Sequence, residues 1–251
     1  MVGLRYAAPF GVFRDFTAGY FRASFPFAPP SALYGLILNL LGIEMRGPLG
    51  PDPTGVRAGL PRFELASAAL GAEKRRHSFC SASTEGALPG KGVLFQQLHA
   101  LPVGATNKHR IPLTKGNKHH ISPGRRQLLW GVRGLCVVRG EEALESRLRE
   151  ALSETVWELE SGATRYGLPF LGDNSFMLEE LAEADLGLQH EVEWLVSSES
   201  EDDDDMSTPF RLTLWADRAG MKTTRTAFFK TQPGLSNRVP NGAWVRVGPG
   251  E

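Results

Sequence analysis

The sequence predicts an α+β domain, and three observations carry that reading. An alternating strand opens the chain at Val2, Leu4 and Tyr6. Two amphipathic helices, about 31–41 and 142–160, are separated by further strands. Between them runs a stretch of some fifty residues, rich in Gly, Ser, Thr, Asn and Lys, that carries only short β-like pieces. At 251 residues the chain is long enough for one large domain or two small ones with a real core.

Taken in order, the first strand covers residues 1–10, and Phe10 to Phe16 continues extended with Arg14 set among aromatics. An aromatic segment containing Tyr20 and Arg22 follows. Pro29-Pro30-Ser31 then marks a helix start: proline suits the first turn because its missing N–H would be unpaired there anyway, and Ser31 can accept from the free amides. Leu33, Leu36, Ile37, Leu40 and Leu41 form one buried face, and Gly42 is the expected left-handed stop. The amino end of this helix is stripped of bulk, so its N–H groups could meet a phosphate. A second strand is expected at 62–70.

Residues 72–126 read as a β-hairpin arm projecting from the body, since a loop of this length in a compact domain is usually functional or disordered. Residues 128–138 return as a core strand. In the second helix Leu144, Leu148, Leu152, Val156 and Leu159 share one face. A glycine-rich loop with Arg165 and Gly167 follows, then a strand at 192–196 and an acidic run at 201–205. Short strands at 210–216, 224–230 and 244–247 make a C-terminal β region. The division expected is therefore a body of residues 1–198, including the arm, and a region of residues 199–251. The order β, α, β, arm, β, α, β is that of a ferredoxin-like βαββαβ fold, which RNA-recognition domains also use.

Lys plus Arg and Asp plus Glu both total 28, so net charge excludes nothing. Its distribution is informative. From Lys74 to Arg126 there are ten basic residues: Lys74, Arg75, Arg76, Lys91, Lys108, Arg110, Lys115, Lys118, Arg125 and Arg126. The one acid in that span is Glu85. His77, His99, His109, His119 and His120 lie there too. From Glu141 to Asp205 the balance reverses. A neutral chain segregated in this way presents a basic region suited to a polyanion.

Other chemistry lacks its pattern. Gly86 to Gly92 is too short for a phosphate-binding P-loop and no Ser or Thr follows Lys91. His77 and Cys80 have no second ligand pair for zinc, and the 201–205 run lacks EF-hand spacing. Neither a nucleophile elbow nor a kinase motif set occurs. No cofactor and no metal are expected. Two cysteines give no disulfide framework, and the longest apolar run, 32–43, is too short to span a bilayer, so a soluble cytoplasmic protein is expected. A metal-free ribonuclease stays open, since Tyr20, His109, His119, His120, Lys115 and Lys118 could supply base, acid and cation.

Phe13-Arg14, the run Ser24 to Leu36 (SFPFAPPSALYGL), the basic arm, and the Arg165 to Gly172 loop (RYGLPFLG) together resemble CRISPR-associated protein family five. This is the RAMP-type subunit of type I Cascade surveillance complexes, and the likeness is nearest to the branch first named for a myxobacterial developmental operon. It covers most of the chain in order and is strongest in the amino-terminal signature. It implies an RNA-recognition-like domain with a long basic β-hairpin thumb and a small C-terminal β region. It also implies that the protein is not an enzyme but caps the repeat-derived 5′ handle of the CRISPR RNA. The partners implied are the backbone subunit and the large subunit, with target DNA reached through the complex and no membrane. In one subtype the family member cuts the precursor RNA, so a metal-independent endoribonuclease is one alternative; a general single-stranded RNA-binding domain is a second and a purely structural assembly protein a third. The residues expected to meet RNA are Arg14, Tyr20, Arg22, Ser31, Tyr34, Arg75, Arg76, Lys108, His109, Arg110, Lys115, Lys118, His119, His120, Arg125, Arg126, Arg165 and Gly167.

Overall fold

A computed structural model describes residues 1–14, 21–47, 55–71, 88–100, 120–153, 167–198, 209–217 and 223–250. The elements are β1 (Val2–Gly11), β2 (Phe21–Arg22), α1 (Pro30–Leu40), β3 (Phe63–Leu70), β4 (Gly90–Ala100), β5 (His120–Arg139), α2 (Glu142–Ser153), β6 (Glu180–Glu183), β7 (Glu191–Ser198), β8 (Phe210–Trp215), β9 (Arg225–Leu235) and β10 (Val245–Val247). The fold is α+β, a mostly antiparallel sheet with two helices. Its strand order is β6-β1-β5-β3-β7-β9-β8, with β2 and β4 on β5 and β10 on β3. Among the described residues only the β2–β5 strand pairing is parallel.

The alternation of β1 has the expected consequence. Val2, Leu4, Tyr6 and Ala8 enter the main core with Cys136 and Val138 of β5, Leu65 of β3 and the apolar face of α1. A second cluster forms around Trp194, where Ala66, Ala68, Leu135 and Val137 meet Val192 and Ala243. Small residues on β3 leave room there for the indole, whose Nε1–H donates to the Leu235 carbonyl at 3.2 Å.

α1 begins and ends close to where the sequence puts it. Its N-cap, however, is Pro29, with no side-chain hydrogen bond. Ser31 therefore does not cap the helix, which begins one residue before it. The C-terminal stop is a Schellman motif: Gly42 has φ 69°, its N–H donates to Asn39 O at 3.0 Å, and the Ile43 N–H donates to Leu38 O at 2.9 Å.

The pairings of the C-terminal half come from the structure. The strand at 192–196 exists as β7 but pairs with β3 and β9. The strand beside β1 is β6, whose four residues show no sequence period. Strands β8 to β10 belong to the same sheet as the body. The arm appears as the β4–β5 hairpin, paired from Gly90↔Trp130 out to Ala100↔His120. Residues 72–87, 101–119 and 199–208 lie outside the described residues, as does the expected end of the second helix beyond Ser153.

Candidate nucleic-acid interface

The twenty residues of β5 make it the spine of the site. Its inner half is flanked by β1 and β3, its outer half by β4 on one edge and the short β2 on the other. In the outer half Arg125 stands opposite Phe95 of β4 and Phe21 of β2. Directly opposed residues share a face of the sheet, so the three form a row across three strands. The Arg125 guanidinium carbon lies 5.1 Å from the centroid of the Phe95 ring. Phe95 is 71% exposed and Phe21 47%. An open aromatic ring with a cation over it suits a base that stacks and a phosphate that pairs.

Arg22 is exposed and stands opposite Arg126. Arg14, also exposed, sits in an isolated antiparallel bridge with Ser24. This arm is tied down by polar contacts. The Phe13 N–H donates to Ser24 Oγ at 2.8 Å, the Ser24 N–H to Gln127 Oε1 at 3.1 Å, and the Phe25 N–H to Phe13 O at 2.9 Å.

Arg126 has a different fate from its neighbour, because successive strand residues point to opposite faces. It is buried and ion-paired with Asp173, and its guanidinium carbon lies 5.7 Å from the Phe176 ring centroid. Burial works against the charge of Asp173, but the Ser175 amide and hydroxyl and the Arg126 guanidinium outweigh it and hold the carboxyl below the ordinary Asp range. The turn containing Asp173 is pressed onto the body at Gly172, whose φ is 80° and where a Cβ would sit 2.8 Å from Val12 O.

Two expected RNA contacts are therefore corrected. Tyr34 is 1% exposed. Its ring stacks on Phe63 at 5.3 Å, meets Trp215 edge-on, and its O–H donates to the Pro61 carbonyl at 3.0 Å. Burial pushes that hydroxyl up to about 12. The reason is geometric: α1 packs its Tyr34 side against β3 and β8, so the ring that looked like a surface handle is a core member. Arg126 is the second correction, since Asp173 holds its guanidinium in the protein. The α1 amino end is also closed, with Phe27, Ala28 and Pro30 buried and Phe27 edge-on to Phe210, so it offers no open anion site. Ser31 stays partly exposed beside it.

Gly167 is described and partly exposed, near the Asn39 side chain. For His120 the structure gives the strand position only, at the start of β5. Tyr20, Arg75, Arg76, Lys108, His109, Arg110, Lys115, Lys118, His119 and Arg165 lie outside the described residues. Phe21, Phe95, Gln127 and Asp173 were missed. The available signal for Phe95 was a single Phe in a strand that also carries Lys91, Gly92, Gln96 and Gln97. Among the described residues no group of three or more metal-ligating side chains occurs, and no helix is long and apolar enough to cross a membrane.

The class defined so far is an α+β protein whose sheet extension carries an arginine over an exposed aromatic ring. No protein-family model and no curated protein matches the sequence. Among solved structures, the chain is similar in fold to a chain of a CRISPR RNA-guided surveillance complex, with TM-score 0.51 and 18% identity over 99% of this chain and 94% of that one. A second match, to a Cas protein, has TM-score 0.37 and 13% identity over 99% of this chain and 98% of that one.

Proposed function

We propose that this protein is the family-five subunit of a type I CRISPR surveillance complex, of the myxobacterial developmental-operon branch. In this reading it holds the 5′ repeat-derived handle of the CRISPR RNA in the cytoplasm, packs beside the backbone and large subunits, and does not cut the RNA. The observation that carries the reading is the row Phe21, Arg125 and Phe95 at the root of the basic hairpin, with Arg14 and Arg22 on the adjoining arm. A handle is single-stranded, and its unstacked bases can lie on aromatic rings while its phosphates meet arginines. The fold likeness to a surveillance-complex chain supplies the context. The segment order β6-β1-β5-β3, antiparallel throughout, supports the ferredoxin-like reading, with β6 as its fourth strand.

The test is co-purification. The tagged protein is expressed with its neighbouring genes and a CRISPR array, and the bound RNA is sequenced. Short RNAs sharing one repeat-derived 5′ end, recovered with partner subunits, are expected. Heterogeneous cellular RNA would favour a general RNA-binding domain, and recovery of partners without RNA a structural assembly protein. Metal-free cleavage of precursor RNA that is lost when His119 and His120 are replaced would overturn the non-catalytic assignment.

A further inference from the structure

β2 is two residues long and both of its side chains, Phe21 and Arg22, are exposed. Apolar burial therefore does not hold it beside β5. Its two register pairs, Phe21↔Arg125 and Arg22↔Arg126, end where Gln127 begins. At that point a side chain continues what the main-chain ladder leaves off. Gln127 Oε1 accepts the Ser24 N–H at 3.1 Å, and Ser24 is itself only 5% exposed. Ser24 in turn bridges to Arg14 and accepts the Phe13 N–H through its hydroxyl. One amide side chain of the hairpin thus fixes a backbone knot from which Arg14 leaves on one strand and Phe21 and Arg22 on the other.

We infer that Gln127 is a positioning residue for RNA: it touches no nucleotide but fixes the arm that carries Arg14 and Arg22 and sets Phe21 beside the Arg125–Phe95 pair. The inference rests on the RNA-binding reading above. The chemistry asks for an acceptor at this position. An isosteric side chain without one leaves a buried N–H unpaired, and a buried donor without its partner is costly. The arm would then give up the register that lines its cations up with the phosphate track.

The test uses the full purified chain and a synthetic single-stranded RNA of handle sequence. Gln127→Met keeps the shape and removes the acceptor; Gln127→Glu keeps the acceptor. For Gln127→Met we expect affinity to fall about tenfold, in line with one hydrogen bond. The log–log salt slope should become shallower by roughly one to two units as Arg14 and Arg22 lose phosphate contact. Combined with Arg22→Ala, Gln127→Met should add less than its effect alone, because both act through the same arm. Gln127→Glu should keep the shallow-slope defect small. Unchanged affinity and slope in Gln127→Met, or full additivity with Arg22→Ala, would overturn the inference. Amide hydrogen exchange without RNA separates it from the wider reading. If the parent chain binds no RNA, yet the Ser24 amide loses protection in Gln127→Met and keeps it in Gln127→Glu, the tether stands and the RNA assignment fails. Unchanged Ser24 protection in Gln127→Met removes the tether itself.

Discussion

The two halves of β5 differ in what surrounds them. In the inner half Leu135, Cys136, Val137 and Val138 are all buried between β1 and β3, and Val132 is buried beside β1. Burial there pushes the Cys136 thiol up to about 12, a group sealed from solvent rather than poised to react. In the outer half the strands described beside it are β4 and the two residues of β2, and it presents Arg125 beside an open Phe95 ring. One continuous strand thus passes from a packed core to a projecting hairpin. Positions of the first kind should cost folding and leave RNA binding alone; positions of the second kind should do the reverse.

The largest effect expected is on the buried side. Tyr34→Ala removes a ring that Phe63 and Trp215 enclose, a truncation that costs about 3–5 kcal/mol of stability. Thermal or urea unfolding would read this as a large drop, while the folded fraction keeps its RNA affinity. Tyr34→Phe loses only the bond to Pro61 O, about 1 kcal/mol. If Tyr34→Ala instead kept its stability and lost RNA, the division between core and interface would be drawn in the wrong place.

Next comes the pair that lies in the outer half yet behaves like the inner one. Arg126→Ala leaves the Asp173 carboxylate with little exposure and without its ion-pair partner, which should destabilise by about 3 kcal/mol. The pH dependence has a definite sign. The folded carboxyl lies below its unfolded value, so its contribution is fully present above the ordinary Asp range near pH 4 and disappears as pH falls through the folded pKa. The parent should therefore lose its advantage over Asp173→Asn as urea titrations are carried from pH 6 toward pH 3. A gap that stays constant over that range would mean that Asp173 does not hold Arg126 by charge.

How much of this was legible in the sequence follows from the same contrast. β1, α1, β3 and β7 were readable because period and stop signals are local: alternating Val2, Leu4 and Tyr6, the Pro29-Pro30 start, Gly42. β6 was not, because Glu180-Leu181-Ala182-Glu183 has too few residues to show a period, and only its pairing with β1 makes it a strand. Arg125 and Arg126 looked alike as neighbours in a basic stretch. Strand alternation sends them to opposite faces, and what meets Arg126 there is an aspartate 47 residues further on. Tyr34 failed for a related reason: helical spacing places a residue on a face, but not what that face meets. The Phe21–Arg125–Phe95 row was unreadable because it needs the registers of three strands.

The row gives the third prediction. Phe95 is exposed enough that Phe95→Ala should change stability by less than about 0.5 kcal/mol. Loss of one stacked base costs about 1–3 kcal/mol, so handle affinity should fall by roughly fivefold to a hundredfold. Arg125→Ala should fall in the same direction and combine with Phe95→Ala less than additively, because the guanidinium lies over that ring. Full additivity would sharpen the picture by assigning ring and cation to different nucleotides. No loss in either variant would take the outer half of β5 out of the RNA site.

The smallest effect concerns Lys115 and Lys118, in the part of the arm outside the described residues. Their expected role is charge alone, so replacing both by glutamine should weaken binding of every single-stranded sequence to a similar degree. The log–log salt slope should lose roughly one unit per phosphate contact. Phe95→Ala, which removes a stacking face and no charge, should leave the slope where it was. On the proposed reading, the two variants therefore separate stacking on Phe95 from charge supplied by the two lysines. If the lysine variant kept the parental slope, the arm beyond His120 would carry no phosphate contacts through these lysines, and RNA held at the hairpin root would depend on Arg14, Arg22, Arg125 and the two rings.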